Sequence, residues 1–322
     1  MMWQGQTAYR LNQTRRHEKG VALVLVLGLV ALIGAWASTA AYEDMVALRR
    51  AENMQHAMRA VQASRSAFEV AKQALRQDAI DNPQQDDLDE DWALETPPFP
   101  LDDGLVSGHI VDANRFFNLN DLVDGKGKVQ AREVVIAKKL FSVLELDPNL
   151  VDALVDWMDA DDRPQGSAGA EDAAYYDQAY RVKNTGMDRW DELGLIKGFD
   201  GEVISKLADD MIVRDIAKTG LTSINLNTVS STVLLALFPR MTDVDGEAWM
   251  AGRPYADVAT AFASQPWAAG VNTSRLSVTS DTFMVRTEAR FGRAIMREEF
   301  MLLRQSEKLT LLSRERLPWA RP

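Results

Sequence analysis

Between residues 152 and 172 the chain sets Asp152, Asp156, Asp159, Asp161, Asp162, Glu171 and Asp172 against a single cation, Arg163. Asp156 and Asp159 are three apart and share a face if the segment is helical, whereas Asp161 and Asp162 lead into a loop that contains glycine. Carboxylates gathered in this way repel unless water or a hard cation relieves them, and Ca²⁺ takes about six to eight oxygens in flexible geometry. The spacing is not that of an EF-hand: counted from Asp159, the fifth and sixth places are Arg163 and Pro164, and the closing acid comes one place late at Glu171. Two readings stand side by side, a structural cation site and a solvated acidic loop. For the cation the expected ligands are Asp159, Asp161, Glu171 and Asp172, with Asp177 and Asn184 as further donors from the next loop. A hydrolase acid and base would need a cleft that pushes two carboxyl pKa values apart, and no Ser, His and Asp set accompanies them.

Other chemistries are narrowed by composition. There is no cysteine, which removes disulfides, thiolate metal sites and thiol nucleophiles. His17, His56 and His109 are far apart in sequence and fit no HExxH-type spacing. A net charge of −11 disfavours phosphate backbones, so nucleic acid is not an expected partner. Gly125-Lys126-Gly127-Lys128 lacks the frame of a phosphate loop and reads as a turn. Residues 223–241, from Ser223-Ile224-Asn225-Leu226-Asn227 to Phe238-Pro239-Arg240-Met241, resemble a helix-hairpin-helix unit, but the hairpin glycine that approaches DNA is replaced by Phe238-Pro239-Arg240. A packing module is the expected role.

The elements that must carry these residues begin with a greasy rod. Residues 21–41 hold no charge and as a helix would span roughly 30 Å, one membrane crossing. Arg10, Arg15, Arg16 and Lys19 precede it and keep that end cytoplasmic by the positive-inside rule. Ala35-Trp36-Ala37 is a weak small-x-small site, the mark of a signal peptide, but apolar residues then recur at Met54, Met58, Val61, Phe68, Ala71 and Leu75. That stripe predicts one helix running on to Asn82-Pro83. From 77 to 114 there is no Lys or Arg, while nine acidic residues stand between Asp81 and Asp103, which with Pro97, Pro98 and Pro100 predicts a solvated linker. Strands are expected at 105–112 and 115–120, and again as a meander at 275–279, 282–291, 294–304 and 308–313; helices at 131–145, 148–158 and 201–213.

A basic leader ending Lys19-Gly20, followed by Val21-Ala22-Leu23-Val24-Leu25 and a half-apolar, half-striped helix, resembles the N-terminus of type IV pilins and pseudopilins. The resemblance implies prepilin-peptidase cleavage after Gly20 and methylation of the new terminus at Val21. Family members carry Glu at the fifth mature position, where this chain has Leu25. A lone carboxylate in hydrocarbon is costly, so its loss implies a subunit that does not pair there with a neighbour's terminal amine. Among pseudopilins that loss is typical of the K subunits of type II secretion, and the series Phe116-Phe117-Asn118-Leu119-Asn120, Leu154-Val155-Asp156-Trp157-Met158-Asp159-Ala160-Asp161-Asp162, Tyr180-Arg181-Val182-Lys183-Asn184 and Ile224-Asn225-Leu226-Asn227-Thr228 is similar to that group in the same order.

The resemblance implies an α+β, pilin-like fold: a long transmembrane and amphipathic helix on a small antiparallel sheet, interrupted by a large α-helical insertion with SAM-like or helix-hairpin-helix-like units. The expected division is a leader at 1–20, the transmembrane half of the helix at 21–41, its amphipathic half at 42–80, linker and first strands at 81–120, the insertion at 121–272, closing strands at 273–314 and a tail at 315–322. It further implies a single-pass inner-membrane protein with its globular part in the periplasm. Ca²⁺ in the insertion, other minor pseudopilins of I, J and H type as partners, and a non-enzymatic role at the tip of a secretion fibre follow as expectations. The rivals are a minor pilin of a type IV pilus, a membrane-tethered DNA-binding protein of the competence type, and a membrane-anchored hydrolase.

Overall fold

The computed structural model describes residues 11–94, 96–215 and 222–317, with side chains from Gly20 onward. One helix, α1 (Leu11–Asp81), opens it without a break. After Gly34 neither Gly nor Pro occurs until Pro83, so nothing interrupts the backbone hydrogen-bond ladder over that stretch. Its residues 20–39 are exposed and apolar, the helix is long enough to cross a membrane, and its most apolar 18-residue stretch has a mean hydropathy of 2.5.

The chain next forms β1 (Phe99–Leu101) and β2 (Gly104–Asp112) and leaves on a helical excursion. Within that excursion lie the short strands β3 (Phe117–Asn118), β4 (Met211–Ile212), β5 (Ile224–Asn225) and β6 (Leu276–Ser277). It returns as β7 (Thr282–Phe291), β8 (Ala294–Gln305) and β9 (Lys308–Arg316). A five-stranded antiparallel sheet results, in the order β1-β2-β7-β8-β9. The excursion therefore starts after Asp112 and ends before Thr282, where 121 and 272 were expected.

Alternation along the strands turns Phe283, Val285, Phe300 and Leu302 toward α1, where they meet Phe68, Ala71 and Leu75. Phe68 stacks on Phe300 with ring centroids 4.1 Å apart. The stripe read from the sequence thus divides. Phe68, Ala71 and Leu75 are buried and Val61 is half-buried, whereas Met54 and Met58 stand 67% and 56% exposed, on a face of α1 turned aside from the sheet.

Four expectations need correction. The acidic segment after α1 is pinned in place: Asp86, Asp87 and Trp92 are buried, the backbone N–H of Asp86 donates to Val278 O at 2.8 Å, and the Trp92 ring meets Phe283 edge-on. Acidic composition suggested solvation because Arg304, which neutralises Asp78 and Asp86, comes more than 200 residues later. Of 275–279 only Leu276–Ser277 is a strand, and it pairs in parallel with β5 outside the large sheet. The segments 115–120 and 201–213 are likewise shortened by tight turns, the latter ending as a helix at Leu207 before β4.

The excursion carries α2 (Ala131–Val143), α3 (Leu150–Met158), α4 (Gly201–Leu207), α5 (Ser231–Leu237), α6 (Asp243–Met250) and α7 (Val258–Phe262) around one core that includes Leu140, Phe141, Leu154, Trp157, Phe238 and Trp249. It is built twice over. Phe117-Asn118-Leu119-Asn120 and Ile224-Asn225-Leu226-Asn227 each begin a unit, and each unit closes by a two-residue parallel pair, β3 with β4 and β5 with β6. The second Asn of each tetrapeptide clamps one distant residue by both backbone groups. Asn120 accepts from Met187 N at 2.7 Å and donates to Met187 O at 2.8 Å; Asn227 accepts from Tyr255 N at 2.8 Å and donates to Tyr255 O at 3.1 Å. A buried amide side chain that is satisfied in this way fixes the turn more firmly than apolar packing could.

Candidate functional site

The acidic residues gather where α3 ends. Val151 to Asp159 are all buried, so the helix presents Asp152, Asp156 and Asp159 inward, to the loop that follows it. Backbone donors of that loop occupy two of them. Asp156 accepts from Gln165 N at 2.9 Å and Ala170 N at 2.6 Å, and Asp152 accepts from Ser167 N at 3.2 Å and pairs with Lys138 Nζ at 2.5 Å. Gly166 makes the turn with φ +49°, close against Asp152, in a conformation and space that suit glycine.

Asp156, Asp159 and Glu171 each offer an oxygen within 4.8 Å of the others, and all three are buried. Among the described residues, both oxygens of Glu171 and Oδ1 of Asp159 have no hydrogen-bond partner. Neither has the equally enclosed Oδ1 of Asn184, whose backbone N–H donates to Trp157 O at 3.0 Å beside the last turn of α3. Orphaned acceptors with no donor among them are what a hard cation satisfies, so this donor set fits Ca²⁺ or a similar ion. The electrostatics agree. Burial, and after it the charge of Asp161, push Asp159 up to about 6; burial, then Asp156 and Asp159, push Glu171 up to about 7.

Of the four expected ligands the structure brings Asp159 and Glu171 together and adds Asp156. Asp161 is exposed and turns back to accept Arg163 N at 2.9 Å. Asp172 is exposed too, accepts Val182 N at 3.2 Å and lies 3.7 Å from Arg181. Asp177 is exposed. The difference arises at the helix end: Asp159 is the last residue whose direction α3 controls, and the chain then swings outward until Ala170 brings it back. The helical spacing of Asp156 to Asp159 was the signal for the added residue.

A second acidic group, Asp78, Asp86 and Glu90, meets the same distance condition. There Arg304 supplies the positive charge to both aspartates, and Trp92 Nε1 donates to Glu90 at 2.6 Å, so no orphaned acceptor remains. Trp157, Trp249 and Trp267 are buried, and Trp190 is half-buried against the same core. Trp319 lies outside the described residues, as do residues 1–10 of the leader.

Comparison with known proteins follows the same outline. Two family models described as type II secretion system protein K match residues 115–214 and 224–281, one over each of the two repeated units. A type II secretion system protein K of Pseudomonas aeruginosa is 33% identical over 242 residues, covering 70% of this chain and 69% of that protein. Its counterpart from Klebsiella pneumoniae is 29% identical over 318 residues, covering 92% and 96%. The crystal structure of the GspK-GspI-GspJ complex from the type 2 secretion system of enterotoxigenic Escherichia coli contains a chain of the same fold, with a TM-score of 0.71, 24% identity, and coverage of 84% of this chain and 100% of that one. With a membrane-length apolar helix, a pilin-like sheet and a duplicated helical insertion, the chain belongs to the type II secretion system protein K family of pseudopilins.

Proposed function

We propose that this chain is the tip subunit of a pseudopilus and acts as a structural component, assembling through α1 with other minor pseudopilins of I, J and H type to drive protein export across the outer membrane. One observation carries the reading. In its membrane-proximal half α1 has a second apolar stripe, Ala47, Ala51, Met54, Met58 and Val61, turned about 110° round the axis from the sheet-facing residues. Among the described residues nothing covers Ala47, Ala51, Met54 and Met58, and the same face turns charged further on, at Arg65, Glu69, Lys72 and Arg76. A neighbouring helix lying against that stripe up to Val61 and parting above it removes the apolar surface from water. The related structure that contains GspK together with GspI and GspJ supports the choice of partner.

Prepilin peptidase cuts after Gly20, Val21 is methylated, and Leu25 supplies no carboxylate for a neighbour's amine, which suits a subunit with none above it. The globular part lies in the periplasm, the basic leader on the cytoplasmic side. α5 and α6, joined by the turn at 238–242, form a helix-hairpin-helix-like packing unit. The acidic site holds Ca²⁺ through Asp159 and Glu171, with Asp156 and Asn184 beside them, and anchors the loop 160–190 to α3; Asp161 and Asp172 supply negative charge around it.

Because the chain has no cysteine, a single introduced one reports without background. Met58→Cys in the full-length protein, labelled with a thiol-reactive photo-cross-linker that inserts into neighbouring C–H bonds, is expected to link to another pseudopilin in membranes, whereas Val70→Cys so labelled, on a different face of α1, is not; equal yields would sink the helix-pairing reading. Mass spectrometry of the same material is expected to show a methylated N-terminus at Val21.

A further inference from the structure

The acidic site and the contact between insertion and sheet are joined by a short chain of polar residues. Lys183 precedes Asn184, and its Nζ lies 2.8 Å from Asp188 Oδ2 and 2.8 and 2.9 Å from the two oxygens of Glu192. Glu192 in turn accepts from the backbone N–H of Asp188 at 2.7 Å and of Arg189 at 3.1 Å, which starts the 3₁₀ turn Trp190–Leu195. Its other oxygen accepts from Trp157 Nε1 at 3.4 Å, so the turn is also tied to α3, between Asp156 and Asp159. At the head of the turn, the largely exposed Arg189 has its Nε 4.0 Å from Glu315 on β9. Arg189 and Trp190 form one wall of an open groove of about 930 Å³ whose floor is the sheet face turned away from α1, with Met284 and Met301.

We propose that cation occupancy of the acidic site sets the seat of the Trp190–Leu195 turn against β9, through Asn184, Lys183 and Glu192. The inference rests on the cation reading given above and extends it to the joint between insertion and sheet. Without an ion, Asp159 Oδ1, both oxygens of Glu171 and Asn184 Oδ1 stay unsatisfied among the described residues, and the segment bearing Asn184 is held to α3 by its backbone hydrogen bond to Trp157 alone. Lys183 moves with its neighbour, its hold on Asp188 and Glu192 loosens, and the groove wall loses its fixed position. With an ion, the loop is drawn onto α3 and the wall is locked. A contiguous set of charge-assisted hydrogen bonds with two arrangements is the kind of element that transmits such a change.

The test uses the full-length chain in detergent, calcium titrated against a chelator, with hydrogen exchange read by mass spectrometry and binding by calorimetry. Calcium is expected to slow exchange about tenfold at 187–195 and at 311–317, together with 159–172. In Lys183→Met, calcium affinity stays within about threefold and 159–172 still responds, but 187–195 and 311–317 do not; Lys183→Arg restores the response. If the wild type binds calcium and 187–195 is unchanged, or if Lys183→Met responds as the wild type does, the coupling is overturned while the site stands. Absence of any binding heat overturns the site and the coupling with it.

Discussion

Arg304 Nη1 donates to Asp78 Oδ2 at 2.7 Å, tying the last turn of α1 to β8 where both side chains are over nine-tenths enclosed. Its other arm holds Asp86, and the guanidinium lies 4.4 Å from the centroid of Phe283. One side chain therefore fixes α1, the segment after it and the sheet. Arg304→Met keeps most of the packed stem but leaves two enclosed carboxylates without a counter-ion. A loss of about 3–5 kcal/mol is expected, read as a lower thermal midpoint of the detergent-solubilised chain; an unchanged midpoint would show that the pair adds no net stability.

The same junction predicts a pH dependence. Burial pushes Glu90 up to about 7 from an ordinary 4.5, the Trp92 hydrogen bond opposes this, and the charges of Asp78 and Asp86 add to it. The folded chain then keeps a proton that the unfolded chain has released, so stability falls as pH rises from 4.5 through 7 and the loss is complete above that. Glu90→Gln removes this contribution. Its thermal midpoint should change less between pH 5 and pH 8 than that of the wild type; identical slopes would assign the effect to other groups.

At the proposed cation site protons would compete with calcium for Asp159 and Glu171, raised to about 6 and about 7. Calcium affinity is therefore expected to climb by roughly tenfold or more as pH goes from about 5.5 to 7.5 and to level off beyond. At a calcium concentration about a hundred times Kd the ion should add about 2.7 kcal/mol to stability, and Glu171→Gln should remove most of it. Calorimetry at a series of pH values gives the check, and a flat profile would contradict ligation by these carboxylates.

Gly166 holds a left-handed backbone against Asp152. Gly166→Ala imposes about 1–2 kcal/mol of backbone strain and displaces the loop that donates to Asp152 and Asp156. Both the thermal midpoint and the calcium affinity should drop, whereas Gly125→Ala, in open space at a turn, should leave them unchanged.

Much of the architecture was legible in the order of residues alone, because helices and strands are written as periodicities. The unbroken run to Asp81, the strands at 104–112 and 282–316 and the starts of α2, α3 and α4 follow from apolar spacing and from the placing of Pro and Gly. Lys19-Gly20, Leu25 and the two Asn-Leu-Asn segments pointed to the family. What periodicity cannot carry is a partner far away in sequence. Asp86 reads as solvated until Arg304 arrives from β8, and Met54 and Met58 read as one stripe with Phe68 and Leu75 until the sheet takes a different face of α1. The acidic cluster reads as Asp159, Asp161, Glu171 and Asp172, whereas the end of α3 gathers Asp156 with Asp159 and Glu171 and leaves Asp161 and Asp172 exposed. Burial and charge pairing depend on which distant segments meet, so only the folded chain decided them; the repeated Asn clamps, alike in sequence and in contacts, lie between the two, visible as a motif and intelligible once Met187 and Tyr255 are seen in their grip.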